Sequence, residues 1–212
     1  MVPIDRLARS DQPAAVATLA AAFAQYPLLA ALCPDAARRP RLVEVFSRYL
    51  FRMSVRCGGA YATPDRSAVA CGWPPGREWP SRWTSLRHGG VSVLWQLGRR
   101  AARWMSQLEH EFDVARVAHV PGPHWYVPML GVRPEARGKG LSRAALRPVF
   151  EAADGAGVPI YLETMTEANV AIYQKLGFEL RGYRELTGGL PNWEFVREPR
   201  RDQSPRSCTA SV

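Results

Sequence analysis

The chain has 212 residues and contains little lysine, cysteine or histidine and no long hydrophobic run. No apolar stretch reaches the roughly 20 residues that a membrane-spanning helix needs, which argues against a membrane protein. The segment from Met1 to Ser10 is charged and lacks the apolar core of a signal peptide. We therefore expect a cytoplasmic protein that does not bind membranes.

Cysteine and histidine are too scattered to form a recognisable metal site. No two cysteines have the close spacing of zinc or redox motifs, and we expect the first three to be small buried hydrophobic residues. The four cysteines are Cys33, Cys57, Cys71 and Cys208. No two histidines combine with acidic residues at ligand spacing, so the sequence predicts no metal. The four histidines are His88, His110, His119 and His124.

The positive charge comes almost entirely from arginine. Only Lys139 and Lys175 are lysines among 28 basic residues, and the net charge is +9. An excess of positive charge is typical of proteins that bind nucleic acid, and it is also compatible with an anionic cofactor bound in a positively charged cleft. The arginines are scattered, and no zinc finger, helix-turn-helix or aromatic RNA platform is present. We therefore expect no nucleic-acid partner and interpret most of this charge as solvated surface.

Hydrophobic periodicity divides the chain into helices and strands. Ser10 is the predicted N-cap of the first helix, and a broad apolar face is predicted in the arginine-rich helical segment. Members of that face are Val91, Leu94, Trp95, Leu97, Ala101 and Trp104. The predicted helices are 11–25, 28–32, 42–58, 79–118, 141–156 and 168–176. The predicted strands are 4–9, 59–63, 67–73, 124–132, 159–163, 178–186 and 193–197.

The order of these elements predicts the fold class. The later part forms a βαβ unit with a parallel strand pair, and the earlier part forms antiparallel hairpins. We therefore predict a mixed α/β (α+β) fold with a central twisted mixed sheet and helices on both faces.

The segment from Arg137 to Arg143 joins a buried strand to a helix and is the main candidate for a binding site. Gly138 and Gly140 permit a tight turn and the close approach of a ligand. The helix that follows offers unpaired N–H groups and the positive end of its dipole, which suit a pyrophosphate. Lys139 and the two arginines add positive charge. From this loop alone, a simple tight turn is an equally good interpretation.

The spacing of the glycines excludes two common phosphate loops. The Lys-Ser/Thr pair of an ATP-binding P-loop is missing. The third glycine of the dinucleotide fingerprint is missing as well. The remaining interpretation is a loop that binds the pyrophosphate of another carrier molecule.

Two motifs of this chain resemble the GNAT superfamily of N-acetyltransferases. Motif A of that family, with the core Gln/Arg-x-x-Gly-x-Gly/Ala, is similar to Val132-x-Pro134-x-x-Arg137-Gly138-Lys139-Gly140-Leu141-Ser142. The family signature Asn-x-x-x-Tyr-x-x-x-Gly-Phe is similar to Asn169-Val170-Ala171-Ile172-Tyr173-Gln174-Lys175-Leu176-Gly177-Phe178. Ser142 departs from the usual Gly or Ala, but its backbone N–H is unchanged, so we expect binding to survive.

The resemblance extends over residues 4 to 198 and is dense in 10–27 and 124–198. Leu162-Glu163-Thr164 and the segment 14–27 are similar to the puromycin N-acetyltransferase branch, whereas 74–120 diverges. The resemblance implies the GNAT-type fold in one domain over 1–198. The polar, basic tail 199–212 is predicted to be disordered.

The resemblance implies that acetyl-CoA is the co-substrate. In the family, the strand before the loop splays from its neighbour, so that its backbone pairs with pantetheine; Gly131 fits a strand irregularity there. Asn169 contacts the cofactor arm or caps its helix. The implied cofactor-binding residues are Leu130, Gly131, Val132, Arg137, Gly138, Lys139, Gly140, Leu141, Ser142, Arg143 and Asn169.

Two residues are candidates for proton transfer. Glu163 ends a predicted strand where a site would open, and it is either a general base or a structural carboxylate. The resemblance implies that Tyr173 is a general acid near the CoA sulfur; the alternative is a packed tyrosine. His119 and His124 are alternative bases.

The resemblance implies a small primary amine as the acceptor, such as an aminonucleoside or an amino-acid-bearing antibiotic. Tyr26 and Trp193 are the predicted substrate-pocket residues, although core packing is the better interpretation of a single tryptophan. The open alternatives are acetylation of a protein N-terminus or lysine, and a non-catalytic acyl-CoA-binding module. The chain is expected to be a monomer or a homodimer.

Overall fold

The structure is a computed structural model that describes residues 2–76 and 82–200. Seven strands in these residues form one sheet in the order β1-β2-β3-β4-β5-β7-β6. They are β1 (Asp5–Arg6), β2 (Ala60–Ala62), β3 (Ala68–Trp73), β4 (Trp125–Val132), β5 (Ile160–Thr164), β6 (Glu179–Leu186) and β7 (Leu190–Arg197). The β4–β5 pair is parallel and the remaining neighbours are antiparallel. The predicted mixed sheet is confirmed.

Helices cover both faces of the sheet, as predicted. They are α1 (Gln12–Phe23), α2 (Pro27–Leu32), α3 (Arg39–Cys57), α4 (Arg82–Ser85), α5 (Val91–His119), α6 (Leu141–Ala156) and α7 (Val170–Leu176). A π-helical turn, Leu86–Gly90, joins α4 to α5, and short 3-10 turns precede α1, α6 and α7. In the described ranges, no helix combines the length and the apolar character needed to cross a membrane.

The sheet separates two apolar cores, and β5 contributes to both. Tyr161 belongs to the core beneath α1 and α3, whereas Ile160 and Leu162 belong to the core beneath α6 and α7. Because side chains alternate along a strand, Glu163 shares the face of Tyr161. The side chain of Glu163 therefore points toward the face of the sheet that α1, α3 and α5 cover.

The N-terminal strand is shorter than the predicted 4–9. Only Asp5 and Arg6 pair with β2, and a 3-10 turn occupies Arg9–Asp11. The Asp11 carboxylate accepts the backbone N–H of Ala8 at 2.9 Å, which closes this turn. The predicted capping role of Ser10 is wrong, because α1 begins after Asp11.

The apolar face predicted for the arginine-rich segment is also wrong in part. Val91, Leu94 and Trp95 are exposed, with 77% of the Trp95 surface accessible. Val93 is buried instead. Gly98 has φ 71° and ψ 171°, which breaks the helical path within α5 and changes the face turned to the core. The first residues of the predicted helix, 79–81, lie outside the described residues.

Candidate active site

The parallel strands β4 and β5 diverge after two residue pairs. Trp125 faces Ile160 and Tyr126 faces Tyr161, and the ladder stops there. On the other side of β4, Tyr126 pairs with Trp73 and Met129 pairs with Cys71 of β3. Between these two pairs β4 therefore has one residue more than β3. This extra residue is a β-bulge, and bulges bend the strand that carries them. The result is a fork between β4 and β5, open beyond Tyr126.

The irregularity in β4 lies at the bulge and not at Gly131, where it was expected. Gly131 pairs regularly with Val69 of β3. A Cβ atom at Gly131 would lie 3.0 Å from both Leu19 Cδ2 and Ala22 Cβ. Glycine is therefore needed here because α1 packs closely against the strand. Pro128, which has no N–H to donate, occupies the irregular stretch instead.

The predicted phosphate loop has the geometry of an anion site. Gly138 has φ 77° and Gly140 has φ 72°, which favours glycine, and no other group lies within 4 Å of either Cβ position. The N–H of Ala144 bonds to the Gly140 carbonyl, while no described residue accepts from the N–H groups of 141–143. These N–H groups and the exposed Arg137 and Lys139 suit a pyrophosphate at the start of the 16-residue α6.

Arg143, also predicted to bind the cofactor, has a structural contact. Its guanidinium donates a hydrogen bond to the carbonyl of Lys175 at the end of α7. This bond links the start of α6, at the phosphate loop, to the helix that carries Tyr173.

Glu163 lies at the fork. Its Oε1 accepts a hydrogen bond of 2.5 Å from the Tyr126 hydroxyl, which joins β5 to the last paired residue of β4. Its Oε2 is buried and has no hydrogen-bond partner among the described residues. Burial raises the pKa of Glu163 to about 7, while Tyr126 and the nearby Tyr161 hydroxyl act to lower it. The Tyr161 hydroxyl is close to Glu163 but falls short of hydrogen-bond geometry. This carboxyl group can therefore take up and release a proton near neutral pH.

Tyr173 and Tyr26, on two other elements, are both influenced by the charge of Glu163, which contributes to raising the pKa of each phenol. Tyr173 is buried against the rings of Phe178 and Phe195, with centroid distances of 6.0 and 5.4 Å. Burial, with smaller effects of Tyr26 and Glu163, raises the pKa of the Tyr173 phenol above its usual value. No described residue hydrogen-bonds to the Tyr173 hydroxyl. The phenol is thus protonated, and its donor is available to a ligand.

The end of β5 is held by a polar cluster that includes two predicted site residues. The Tyr26 hydroxyl accepts the backbone N–H of Met165 at 3.1 Å, and burial raises the pKa of Tyr26 to about 12. Asn169 Nδ2 donates to Thr164 Oγ1 at 3.0 Å. Asn169 occupies the N-cap position of α7, but its side chain makes no capping bond. These contacts fix the position at which β5 ends beside the fork.

A small cleft with about 10 Å³ of open space, room for about one water molecule, lies against Glu163 on the side of α5. Glu163 and Tyr126 line it. One face of α5 supplies the remaining lining residues: Glu109, Phe112, Asp113 and Arg116. This part of α5 lies in the segment 74–120, in which no sequence pattern indicates a role in the site.

A buried ionic network behind Glu163 was not predicted either. Glu194 is fully buried, and the guanidinium of Arg184 donates to both of its oxygens, one contact being 3.0 Å. His119 Nε2 lies 2.6 Å from Glu194 Oε2, and its ring is stacked on Tyr161 at 6.4 Å. One signal was available in the sequence, because Glu194 lies between the aromatic residues Trp193 and Phe195 in a predicted strand.

The remaining candidates lie further from the fork. Trp193 faces Thr164 across β5 and β7, and its ring packs on Tyr183 at 5.2 Å. His124 precedes β4, on the side where the two strands are still paired, and its Nδ1 lies 2.7 Å from the Gly122 carbonyl oxygen. The structure joins Glu163 to Tyr126, and none of Tyr26, Tyr173, Trp193 and His124 is among the residues that line the cleft.

Comparison with known proteins finds similarity to acetyltransferases. A family model described as the acetyltransferase (GNAT) family matches residues 65–178. An uncharacterized N-acetyltransferase of Schizosaccharomyces pombe is 27% identical over 210 residues, covering 92% of this chain and 82% of that protein. A solved histone acetyltransferase HPA2-related protein from Corynebacterium glutamicum gives a TM-score of 0.69 at 21% identity, covering 96% of this chain and 99% of that chain. Arylalkylamine N-acetyltransferase 2 from Aedes aegypti gives 0.62 at 11% identity, covering 93% and 99%.

Proposed function

The chain belongs to the GNAT acetyltransferase family and transfers acetyl groups, and we propose that its acceptor is the primary amine of a small molecule. The amine attacks acetyl-CoA directly while both substrates are bound. The structural neighbour from Aedes aegypti is named for arylalkylamines, which are small amines of this kind.

The observation that carries the proposal is the state of Glu163. One of its oxygens is oriented by Tyr126, and the other is buried without a partner at the edge of the cleft. A general base works best when its pKa is near the working pH, and burial raises the pKa of Glu163 to about 7. Glu163 Oε2, directly or through one water, takes the proton that the ammonium must lose before its nitrogen can attack.

The bond changes follow from this arrangement. The amine nitrogen bonds to the acetyl carbonyl carbon, and the carbon–sulfur bond of the thioester breaks. The proton of the ammonium stays on Glu163, and the second proton, which the nitrogen loses as the amide forms, passes through water to the departing sulfur, so that CoA leaves as a thiol. Tyr173 donates a hydrogen bond to the departing thiolate. Because the pKa of its buried phenol is raised above that of a thiol, this hydrogen bond stabilises the sulfur without complete proton transfer.

Acetyl-CoA fits the other side of the fork. The backbone N–H groups at the start of α6, with Arg137 and Lys139, bind the pyrophosphate. Beyond Tyr126 the β5-facing edge of β4, including Leu130 and Val132, has no strand partner in the described sheet and offers its backbone to the pantetheine arm. Asn169 supports the arm from the end of β5.

The test is release of free CoA from acetyl-CoA with a panel of small amines, puromycin included, and of peptides. Glu163→Gln lowers kcat by about 10²–10⁴-fold with acetyl-CoA binding retained. The exposed carboxylate Glu179, changed to Gln, is the matched control and keeps full activity. Turnover of peptides but not of small amines points to a protein acetyltransferase. Binding of acetyl-CoA with no turnover across the panel points to a non-catalytic module, and either result overturns the proposal.

A further inference from the structure

The first two turns of α5 are apolar on opposite faces. Val93 is buried and Leu97 packs against the core beneath α1 and α3, whereas Val91, Leu94 and Trp95 are exposed. The three exposed residues have the i, i+3, i+4 spacing that places side chains on one face of a helix. A helix that is apolar all round is normally buried, so this outer face is suited to contact with a further apolar phase.

Exposed apolar surface is concentrated in this part of the chain. Four of the ten large hydrophobic residues that are exposed in the described ranges lie within residues 86–95. We call these four the apolar patch: Leu86, Val91, Leu94 and Trp95. Single exposed hydrophobic residues are ordinary, but a contiguous group marks an interaction site.

The turn Leu86–Gly90 joins this patch to a cluster of cations. Arg52 on α3 lies beside the turn, because a Cβ atom at Gly89 would be 3.7 Å from Arg52 Nη1. The Nε of Arg52 donates a hydrogen bond of 2.7 Å to Gln12 Oε1 on α1, which holds the guanidinium in place. We call the following residues the basic cluster: Arg9, Arg52, Arg56, Arg87 and His88.

The basic cluster lacks counter-charges. No described carboxylate lies within ion-pair distance of any of its four arginines. Burial, followed by the charges of these arginines, lowers the pKa of His88. His88 Nδ1 is buried and has no hydrogen-bond partner among the described residues. Repulsion among like charges costs free energy, which anionic groups bound at the cluster would offset.

The charge around the patch argues against a second copy of this chain as the partner. Arg99 and Arg100 are exposed directly after the patch, and Arg87 lies within it in sequence. A two-fold contact places the same surface of both copies together, so these cations would meet their own kind. An anionic bilayer instead offers apolar chains to the patch and phosphate groups to the arginines. Tryptophan is the side chain typical of that boundary.

We propose that the apolar patch and the basic cluster together bind the surface of a membrane that contains anionic phospholipids. Leu94 and Trp95 insert at the level where head groups meet acyl chains, and the arginines bind lipid phosphates. The lack of a long hydrophobic run argues against a spanning helix and does not bear on such a surface contact. The proposal replaces the expectation of no membrane contact and is independent of which amine is acetylated.

The test is flotation of the full chain with two kinds of vesicle: phosphatidylcholine alone, and phosphatidylcholine with about one third phosphatidylserine. The unchanged protein floats with the anionic vesicles only, and added salt weakens the binding. Trp95→Ser weakens it by about tenfold or more, because the largest apolar anchor is lost. Val117→Ser, which removes an exposed apolar residue from α5 outside the patch, is the matched control and keeps the affinity.

The contribution of charge is measured in the same assay. Arg87→Gln weakens binding to the anionic vesicles by about fivefold, the effect of one cation near a charged surface. Arg41→Gln removes an equal charge from an exposed position at the far end of α3 and changes the affinity by less than about twofold.

Three results overturn the proposal. One is failure of the unchanged protein to float with anionic vesicles, or equal flotation with both kinds. Another is equal binding of Trp95→Ser and the unchanged protein, which would reduce the contact to unspecific attraction of a chain with net charge +9. The last is a dimer in sedimentation that Trp95→Ser dissociates, which would assign the patch to a second copy. The comparison of vesicles uses the unchanged protein, so it stands even where a variant does not fold.

Discussion

Glu163 on β5 and Glu194 on β7 face each other directly across the antiparallel pair. Two carboxylates at such positions repel each other. The two carboxylates have different partners. Arg184 compensates the charge of Glu194, whereas Glu163 has one oxygen at the cleft without a hydrogen-bond partner among the described residues. This inequality is the reason that Glu163 is the proposed general base.

The first prediction concerns Glu194→Gln. Repulsion from Glu194 contributes to the raised pKa of Glu163, so removing that charge lowers it. A base works only when deprotonated, and activity is lost as the pH falls through its pKa. The acid limb of kcat/KM, near pH 7 in the unchanged protein, therefore moves to lower pH. As a control, Glu198→Gln at an exposed position leaves the pH dependence of kcat/KM unchanged. If Glu194→Gln folds and its acid limb stays near pH 7, the prediction is wrong.

Tyr126→Phe shifts the same profile in the opposite direction. The Tyr126 hydroxyl stabilises the ionised form of Glu163, so its loss raises the pKa of Glu163 above about 7. The acid limb moves to higher pH, and activity at pH 7 falls several-fold. Steady-state rates from pH 5.5 to 9 measure both variants side by side. Equal shifts in one direction would refute the assignment of Glu163 as the titrating base.

Tyr173→Phe tests the leaving-group role. Loss of one hydrogen-bond donor to a developing negative charge lowers kcat by about 10²-fold. Acetyl-CoA affinity, measured by calorimetry, stays within about twofold, because the Phe ring keeps the packing on Phe178 and Phe195. The exposed Tyr183, changed to Phe, serves as the control. Unchanged turnover removes Tyr173 from the mechanism.

Gly131→Ala tests the close packing of α1 on β4. The added methyl group meets Leu19 and Ala22 at 3.0 Å and lowers the free energy of unfolding by about 1–3 kcal/mol. Gly155→Ala is the matched control, because its Cβ position in α6 has no neighbour within 4 Å. Since alanine favours helices, that variant gains up to about 1 kcal/mol. Urea unfolding distinguishes the two; equal stability of both variants contradicts the packing argument.

Asp154→Asn removes one partner of an ion pair between α6 and β7. Arg197 is 4% exposed and donates two bonds of 2.8 Å to Asp154, so its charge becomes uncompensated. Breaking such a pair costs about 3–5 kcal/mol of stability.

The pH dependence of stability gives a second readout for Asp154. Arg197 holds the pKa of the Asp154 carboxyl below its usual value of 3.8. A lowered folded-state pKa stabilises the protein above the unfolded value, and this contribution is lost as the pH falls through the folded one. Urea titrations at several pH values show this acid-side loss in the unchanged protein and not in Asp154→Asn. A decline of equal steepness in both proteins contradicts the account.

Local sequence signals identified the elements around the phosphate loop. The predicted bounds 141–156 coincide with α6, because Gly140 and Gly157 flank a strongly amphipathic stretch. The glycine pair and the Asn169 to Phe178 signature also indicated where the cofactor is proposed to bind. These features depend on neighbours in the chain and are therefore visible in the sequence.

The substrate side could not be predicted in the same way. Tyr126, Glu109 and Glu194 come from three elements distant in the chain, and only the fold places them around Glu163. The prediction of one apolar face along α5 was wrong in part for a related reason. A periodic pattern assumes a continuous helix, and Gly98 interrupts it.

The contact between Arg143 and the Lys175 carbonyl gives α6 and α7 a fixed spacing. One helix begins at the proposed pyrophosphate site and the other carries Tyr173, so the proposed function implies a fixed distance between these two groups. We therefore expect the thioester to reach Tyr173 only when the phosphates of its carrier are bound at the loop. Thioesters of shortened carriers, although chemically competent, fall out of register with the reacting groups.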